Sequence, residues 1–445
     1  MSRSVVITGL GSVSALGVGT GALWAGLSAG SSGLKPVSRF DASGFDCDLA
    51  GEVPNFSAKD FVPKHYRKAV KVMSRDIELA IGAAKEAVED AGLVTRASLA
   101  EDSSDPTTYP SARIGCHIGA GLISADADEL SMALAASSVG GEIDLAAWGK
   151  QGMENLTPLW MLKYLPNMVA SHVTIIHGCA GPSNTITCAE ASGLLSLGES
   201  MRAIERDACD ACLSGGAESK LNLMGLLRTQ FAHRLAHAKG ERDGSKLVRP
   251  YDPASPGGVM GEAAGIVMLE ERASASKRGA KVYAELAGYG AAHSPRRAIL
   301  EGRANSGTCD RDEGLQFAIE NALDDAGIKP EQIDACVLQG TGVPGLDVPE
   351  AGALRAIFGP RLKQIPIVTL GPSIGNTWAG AGGMLAVVAS RCIKEQSIPA
   401  RINHGQTPSD LDAGPSPARS AKLRYVLAAG GSLGGQNAAI VLKAL

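Results

Sequence analysis

A chain of 445 residues, 45% hydrophobic and 20% charged, has the composition of a globular protein and the length for two or three domains around a large core. Its formal net charge of −4 excludes a general attraction to nucleic acid or anionic membrane, which needs concentrated Lys and Arg. The opening MSRSVVITGLG has no apolar signal region, and no apolar run approaches the roughly 20 residues that span a bilayer. The expectation is therefore a cytoplasmic protein with no membrane insertion.

Aromatic residues are only 4% of the chain and glycines number 55, so the core must be built from Ala, Val, Leu and Ile between tight turns. In chain order, SVVITGL (4–10) is a β-branched run ending at Gly. DIELAIGAAKEAVEDAG places Ile77, Ile81, Ala84 and Val88 at helical spacing and stops at Gly92. The stretch EDSSDPTTYPS reads as a surface loop. RIGCHIGAG reads as a buried strand, GLLSLGESMRAIE as a helix, and ACLSGG and GIVMLEE as further strands. This alternation predicts an α/β protein with a largely parallel, helix-covered sheet. The segment 137–168, with Trp148, Trp160 and Leu162, is too apolar for a solvated loop and suits a pocket cover or a subunit interface.

The second half repeats the first: EAVEDAGL (86–93) corresponds to NALDDAGI (321–328), each succeeded by a strand and then a Gly-rich turn into a helix. Two βα halves related by duplication are implied, 1–265 and 266–445. The carboxyl ends of their strands are the expected place for a site.

Nine cysteines, an odd number scattered along the chain, suit a reducing compartment rather than a disulfide framework. Cys209 and Cys212 form a C-x-x-C, but no second pair or nearby His completes a zinc site, so both read as core residues. His233 and His237 are spaced i to i+4 on a predicted helix, without the glutamate and third ligand that a metal site would need. GTGVPG fits the G-x-G-x-x-G pattern but lacks the acidic residue about 20 positions later. Neither a metal nor another cofactor is expected.

Several motifs together resemble the β-ketoacyl synthases: VVITGLGSVSALG, PNM at 166–168, GPS at 181–183, SGGAES at 214–219, RPYDP at 249–253, GTGVPGLDVPE at 340–350 and GGQNAAIVLK near the end. The resemblance covers nearly the whole chain. It implies a thiolase-like fold of duplicated βαβαβ halves in a five-layered αβαβα arrangement, an acyltransferase family and an acyl carrier protein partner. The family's chemistry uses a Cys at a helix N-terminus, two His and a Lys. Aligned on GPS and SG, the nucleophile position falls on Glu190, while Cys188 lies two residues earlier. The first His position is Gln339, the second is Asn376, and the Lys position is Gly371. Leu433 replaces the gating Phe, and the acidic residues Asp347, Glu350 and Glu262 persist. His172 and His177 precede the nucleophile segment but occupy no catalytic position.

Four losses at four chemical positions imply that no competent catalytic residue set remains and that no independent condensing activity is retained. In this reading Glu190 is a permanent anion in the vacated site. The rival role of general base lacks a second titratable group, because Gln339 and Asn376 do not ionise. The basic run KHYRKAVKVMSR offers Lys64, Arg67, Lys68 and Lys71 for contact with an acidic acyl carrier protein, against the alternative of a solvated helix face. The expectation is a catalytically silent, chain-length-factor-like subunit that pairs with an intact ketosynthase in fatty acid or polyketide biosynthesis and shapes its acyl tunnel. The alternatives are altered chemistry, such as malonyl-carrier decarboxylation using Glu190, and a noncatalytic acyl- or carrier-binding homodimer.

Overall fold

The computed structural model describes residues 3–238, 240–295, 310–431 and 434–445. Ten strands form its backbone: β1 (Val5–Ser14), β2 (Ile114–Gly119), β3 (Ser183–Ile186), β4 (Ala211–Ser219), β5 (Met260–Glu271), β6 (Ala284–His293), β7 (Ala335–Leu338), β8 (Ile367–Thr369), β9 (Tyr425–Gly431) and β10 (Gln436–Lys443). Their spatial order is β8-β7-β9-β10-β6-β1-β5-β4-β2-β3, with three short strands attached beside this run. Read outward from the centre, the first five strands and the last five trace the same path, which is the predicted duplication. Residue 265 lies within β5, so the strand that closes the first half runs on to Glu271.

The halves meet where β1 pairs antiparallel with β6. The sheet is mixed rather than largely parallel. In each half, strands joined through a helix are parallel (β2 with β3 and β4; β7 with β8 and β9), whereas β5 and β10 return directly beside their predecessors and run antiparallel.

The predicted helix is α1 (Arg75–Asp90), which buries Ile77, Ile81, Ala84 and Val88 against β1, β4 and β5 and ends before Gly92 at φ +66°. Its counterpart α4 (Glu313–Asp325) covers β6, β9 and β10, and α5 (Pro344–Phe358) packs beside it. Between these outer faces lie α2 (Ser192–Glu205) and α6 (Ala379–Glu395), each nearly encased. They pack on each other and on strands of both halves, completing the αβαβα order. They cross where Gly193 meets Gly382 and Gly383, and a Cβ on Gly193 would lie 2.7 Å from the Gly383 nitrogen. Leu194, Leu197, Met384, Leu385, Val387 and Val388 fill the central core around this crossing.

The segment 137–168 folds into short helical turns with Leu145, Met153, Leu159 and Met161 exposed. Strand β3 is the sheet edge, and its Ser183 and Asn184 are exposed. The helix Met168–His177, which packs on β3, exposes Ile175. The loop expected around 101–111 is irregular, but Tyr109 turns inward and donates from its hydroxyl to Glu270 at 2.5 Å.

Candidate active site

Strand β3 leads through Thr187 and Cys188 into a three-ten turn, Ala189–Ala191, and then into α2. Ala189 has φ +46°, a left-handed value that a residue with a Cβ adopts at an energetic cost and that turns the chain sharply into the helix. The Cys188 amide donates to Ser192 Oγ at 2.8 Å, which fixes the turn.

Glu190 is fully buried in this turn and forms an ion pair with Arg234 Nη1, which is itself fully buried. Arg234 comes after α3 (Leu223–Phe231) and is held by backbone pairing with the segment before β5: Gly258 N donates to Arg234 O at 3.0 Å and Ala236 N to Gly258 O at 2.8 Å. The guanidinium lies 4.9 Å from the centre of the Trp378 ring, and Trp378 Nε1 donates to Met260 Sδ at 3.2 Å. A carboxylate removed from water needs a cation nearby. Sequence reasoning found the anion and missed its cation, because nothing in FAHRLAHA separates Arg234 from the rest of the 42 Lys and Arg residues.

Gln339, Asn376 and Gly371 come together around a cavity of about 20 Å³ that Thr341 and Thr377 also line. Gln339 Nε2 donates to Gly431 O at 3.5 Å, and Asn376 Oδ1 accepts from Trp378 N at 3.3 Å. Neither side chain can move a proton. Gly371 opens a short helical turn, and any Cβ there would collide with the carbonyl oxygen of Gly340, so this backbone has no room for a Lys. Leu433 lies outside the described residues.

Cys188 is half-buried and burial raises its thiol pKa, the opposite of nucleophile activation. Among the described residues no base lies within hydrogen-bond reach of its sulfur. His172 and His177 are buried structural residues. His172 Nδ1 lies 2.9 Å from the Tyr66 hydroxyl; His177 Nδ1 lies 3.0 Å from Thr95 Oγ1, and burial pushes that imidazole down to about 4. The helix expected under His233 and His237 ends at Phe231. His233 has φ +54° in a tight turn and His237 is an exposed residue beside Asp46, so the two do not share a helix face. Cys209 and Cys212 are buried in the central core, with Cys212 Sγ 3.3 Å from His117 Nδ1. Among the described residues no group of three or more His, Cys, Asp or Glu side chains is arranged to hold a metal ion.

The persistent acidic residues serve the framework. Glu262 accepts from Arg75 Nη2 at 2.7 Å, Arg39 Nη1 at 3.1 Å and Val53 N at 3.0 Å. Burial pushes its pKa up, but the two guanidinium groups outweigh that and hold it below the ordinary value. Asp347 ties the Gly340–Gly342 turn by accepting from Thr341 N at 3.1 Å and Gly342 N at 2.9 Å. Glu350 accepts from the Tyr251 hydroxyl at 2.7 Å and is pushed up to about 8 by burial and then by the Asp347 charge. Lys64, Arg67, Lys68 and Lys71 are all exposed, on a three-ten segment (Lys64–Val72) rather than an α-helix.

A larger cavity of about 440 Å³ lies beside the elbow, walled by Leu122, Pro166, Ala189, Lys220, Ala232 and Trp378 among others. It opens toward exposed Leu122 and Arg228.

Duplicated α/β halves whose two buried helices start side by side from sharp turns define a thiolase-like fold. Comparison makes this specific: residues 2–275 match the N-terminal domain of β-ketoacyl synthase and residues 283–404 its C-terminal domain. The 3-oxoacyl-[acyl-carrier-protein] synthase 2 of Staphylococcus aureus (strain COL) is 30% identical, with 99% of this chain and 98% of the relative covered. The structure described as the ishigamide ketosynthase/chain length factor superposes with TM-score 0.81 at 27% identity over 100% of both chains. A β-ketoacyl synthase from Burkholderia phymatum STM815 shares the fold, with TM-score 0.81 at 24% identity over 100% of both chains. The chain belongs to the β-ketoacyl synthase family. No helix among its described residues is long and apolar enough to cross a membrane.

Proposed function

We propose that this chain is a ketosynthase-like subunit that performs no condensation itself, and that it pairs with an intact β-ketoacyl synthase in fatty acid or polyketide assembly and shapes the acyl tunnel of the pair. The observation that carries this reading is the Glu190–Arg234 ion pair at the head of α2. Condensation needs a nucleophile there, and the position holds a buried carboxylate matched to a guanidinium. A decarboxylating role for Glu190 has less support, since a base must be free to take a proton, and Gln339 and Asn376, which stand at the family's two His positions, cannot return one.

Pairing is supported by the sheet edge at β3 and by the exposed apolar residues of 137–168 and the adjoining helix. The relative described as a ketosynthase/chain length factor gives the same reading a precedent. The exposed cations Lys64, Arg67, Lys68 and Lys71 suit an acidic acyl carrier protein. Native mass spectrometry of the protein from its own host tests the assembly: a heterodimer with a Cys/His/His ketosynthase is expected, and an exclusive homodimer would overturn the pairing. Glu190→Cys alone is expected to yield no ketoacyl product, and measurable product from that variant would overturn the silent reading.

A further inference from the structure

We infer that Lys220 is a specificity-determining residue of the 440 Å³ cavity, making it select acyl chains that carry carbonyl or enol oxygens over saturated chains of equal length. The inference rests on the reading of this chain as a subunit that shapes an acyl tunnel.

The cavity is of ligand size, within the ~300–1,000 Å³ of small-molecule sites, and most of its wall is apolar: Leu122, Pro166, Ala189, Ala232 and the Trp378 indole. A purely hydrocarbon guest would need nothing more. Yet Lys220 stands in this wall at only 8% exposure. Its ammonium donates to Leu122 O at 2.8 Å, forms an ion pair with Glu218 and sits 5.5 Å from the centre of the Trp378 ring. An ammonium has three N–H donors. The Leu122 carbonyl accepts one of them, Glu218 balances the charge, and the ammonium lines the cavity beside the indole face. Glu218, which also lines the cavity, accepts from Ala379 N at 2.8 Å, so the pair is anchored to the start of α6.

A site built around a buried donor discriminates strongly against a guest with no acceptor, because filling it displaces water and leaves the donor unmet. A 3,5-dioxo chain presents oxygens along its length, and its enol form can both accept from Lys220 and donate to Glu218. A saturated chain offers neither. The expected preference is about 10-fold to 100-fold, the range for an unmet donor on a charged group.

The test titrates the N-acetylcysteamine thioesters of octanoic acid and 3,5-dioxooctanoic acid against the full-length protein, monitored by tryptophan fluorescence. Wild type is expected to bind the dioxo chain at least about 10-fold more tightly. Lys220→Met is expected to bring the two affinities together by weakening the dioxo chain alone. Because that variant strands Glu218, the double variant Glu218→Gln/Lys220→Met, which removes both charges, serves as a second reading with the same expected outcome. Equal affinities in wild type, no binding of either thioester, or a preference that survives in the double variant would overturn the inference. Native mass spectrometry on the same samples separates the two readings. A homodimer that still prefers the dioxo chain removes the pairing and keeps the selectivity; a heterodimer without preference does the reverse.

Discussion

The first half of the molecule and the second solve the same packing problem with the same devices. In β1, Gly9 and Gly11 let α1 approach so closely that a Cβ on either would strike the carbonyl oxygens of Ala87 and Ala83; in β6, Gly288 and Gly290 do this for α4 at Ala322 and Ala318. Asp90 Oδ2 accepts from Leu10 N at 2.9 Å, and Asp325 Oδ2 accepts from Tyr289 N at 2.9 Å. Even the register shifts agree, at Ile7/Gly9 and Leu286/Gly288. The elbows agree too: with Gly193 set against Gly382 across the helix crossing, Ala189 at φ +46° corresponds to Trp378 at φ +49°. The halves differ in the side chains set at these elbows. The first places an acid there and borrows Arg234 to neutralise it, while the second places a bulky indole that receives the same guanidinium on its face. Backbone geometry has been kept where side-chain chemistry has not.

The comparison can be broken most severely at the first elbow. Arg234→Met takes the buried cation away from a fully buried carboxylate and should cost about 3–5 kcal/mol in chemical denaturation, whereas Glu190→Gln/Arg234→Met removes both charges and should cost much less. Equal losses in the two variants would show that the pair is not the issue at this elbow. Gly11→Ala and Gly290→Ala should each cost about 1–3 kcal/mol by forcing strand and helix apart, with closely similar values if the halves are equivalent. A large loss in one and none in the other would end the equivalence.

A smaller effect distinguishes the halves by pH. Glu86 and Asn321 occupy corresponding helix positions, and burial pushes the Glu86 carboxyl up to about 7. Its contribution to stability is complete below the ordinary value of 4.5 and is lost as pH rises through about 7, since the unfolded chain ionises first. Glu86→Asn, which makes the first half resemble the second, should flatten the fall in Tm between about pH 5 and 8. Last, Lys64→Glu/Lys68→Glu should change stability by no more than about 0.5 kcal/mol. It should nevertheless slow association with acyl carrier protein at low salt in stopped-flow measurements, an effect that salt erases.

Much of this was legible in the chain. Local periodicity marked α1 and β1, the paired EAVEDAGL and NALDDAGI marked the duplication, and the fixed spacing between GPS and SG put Glu190 rather than Cys188 at the elbow. The features that escaped depend on contacts between distant segments. The Glu190–Arg234 pair joins residues 44 apart in sequence, and no local pattern encodes such a partner. The mixed sheet was missed because alternating hydrophobicity reports burial and not strand direction. His233 and His237 look helical by spacing, but the helix had already ended at Phe231, where backbone pairing with Gly258 draws the next segment away. The missing room at Gly371 is a property of the neighbouring Gly340 carbonyl, so only the folded chain could show it.

The open edge of β3 has a consequence for the life of the protein in a cell. A bare strand edge beside exposed apolar side chains is what chaperones and proteases recognise in unfinished proteins. If the chain pairs as proposed, a copy synthesised without its partner would be folded at its centre and still be treated as incomplete. Under the pairing proposed above, its abundance would then track the supply of the chain that covers that edge.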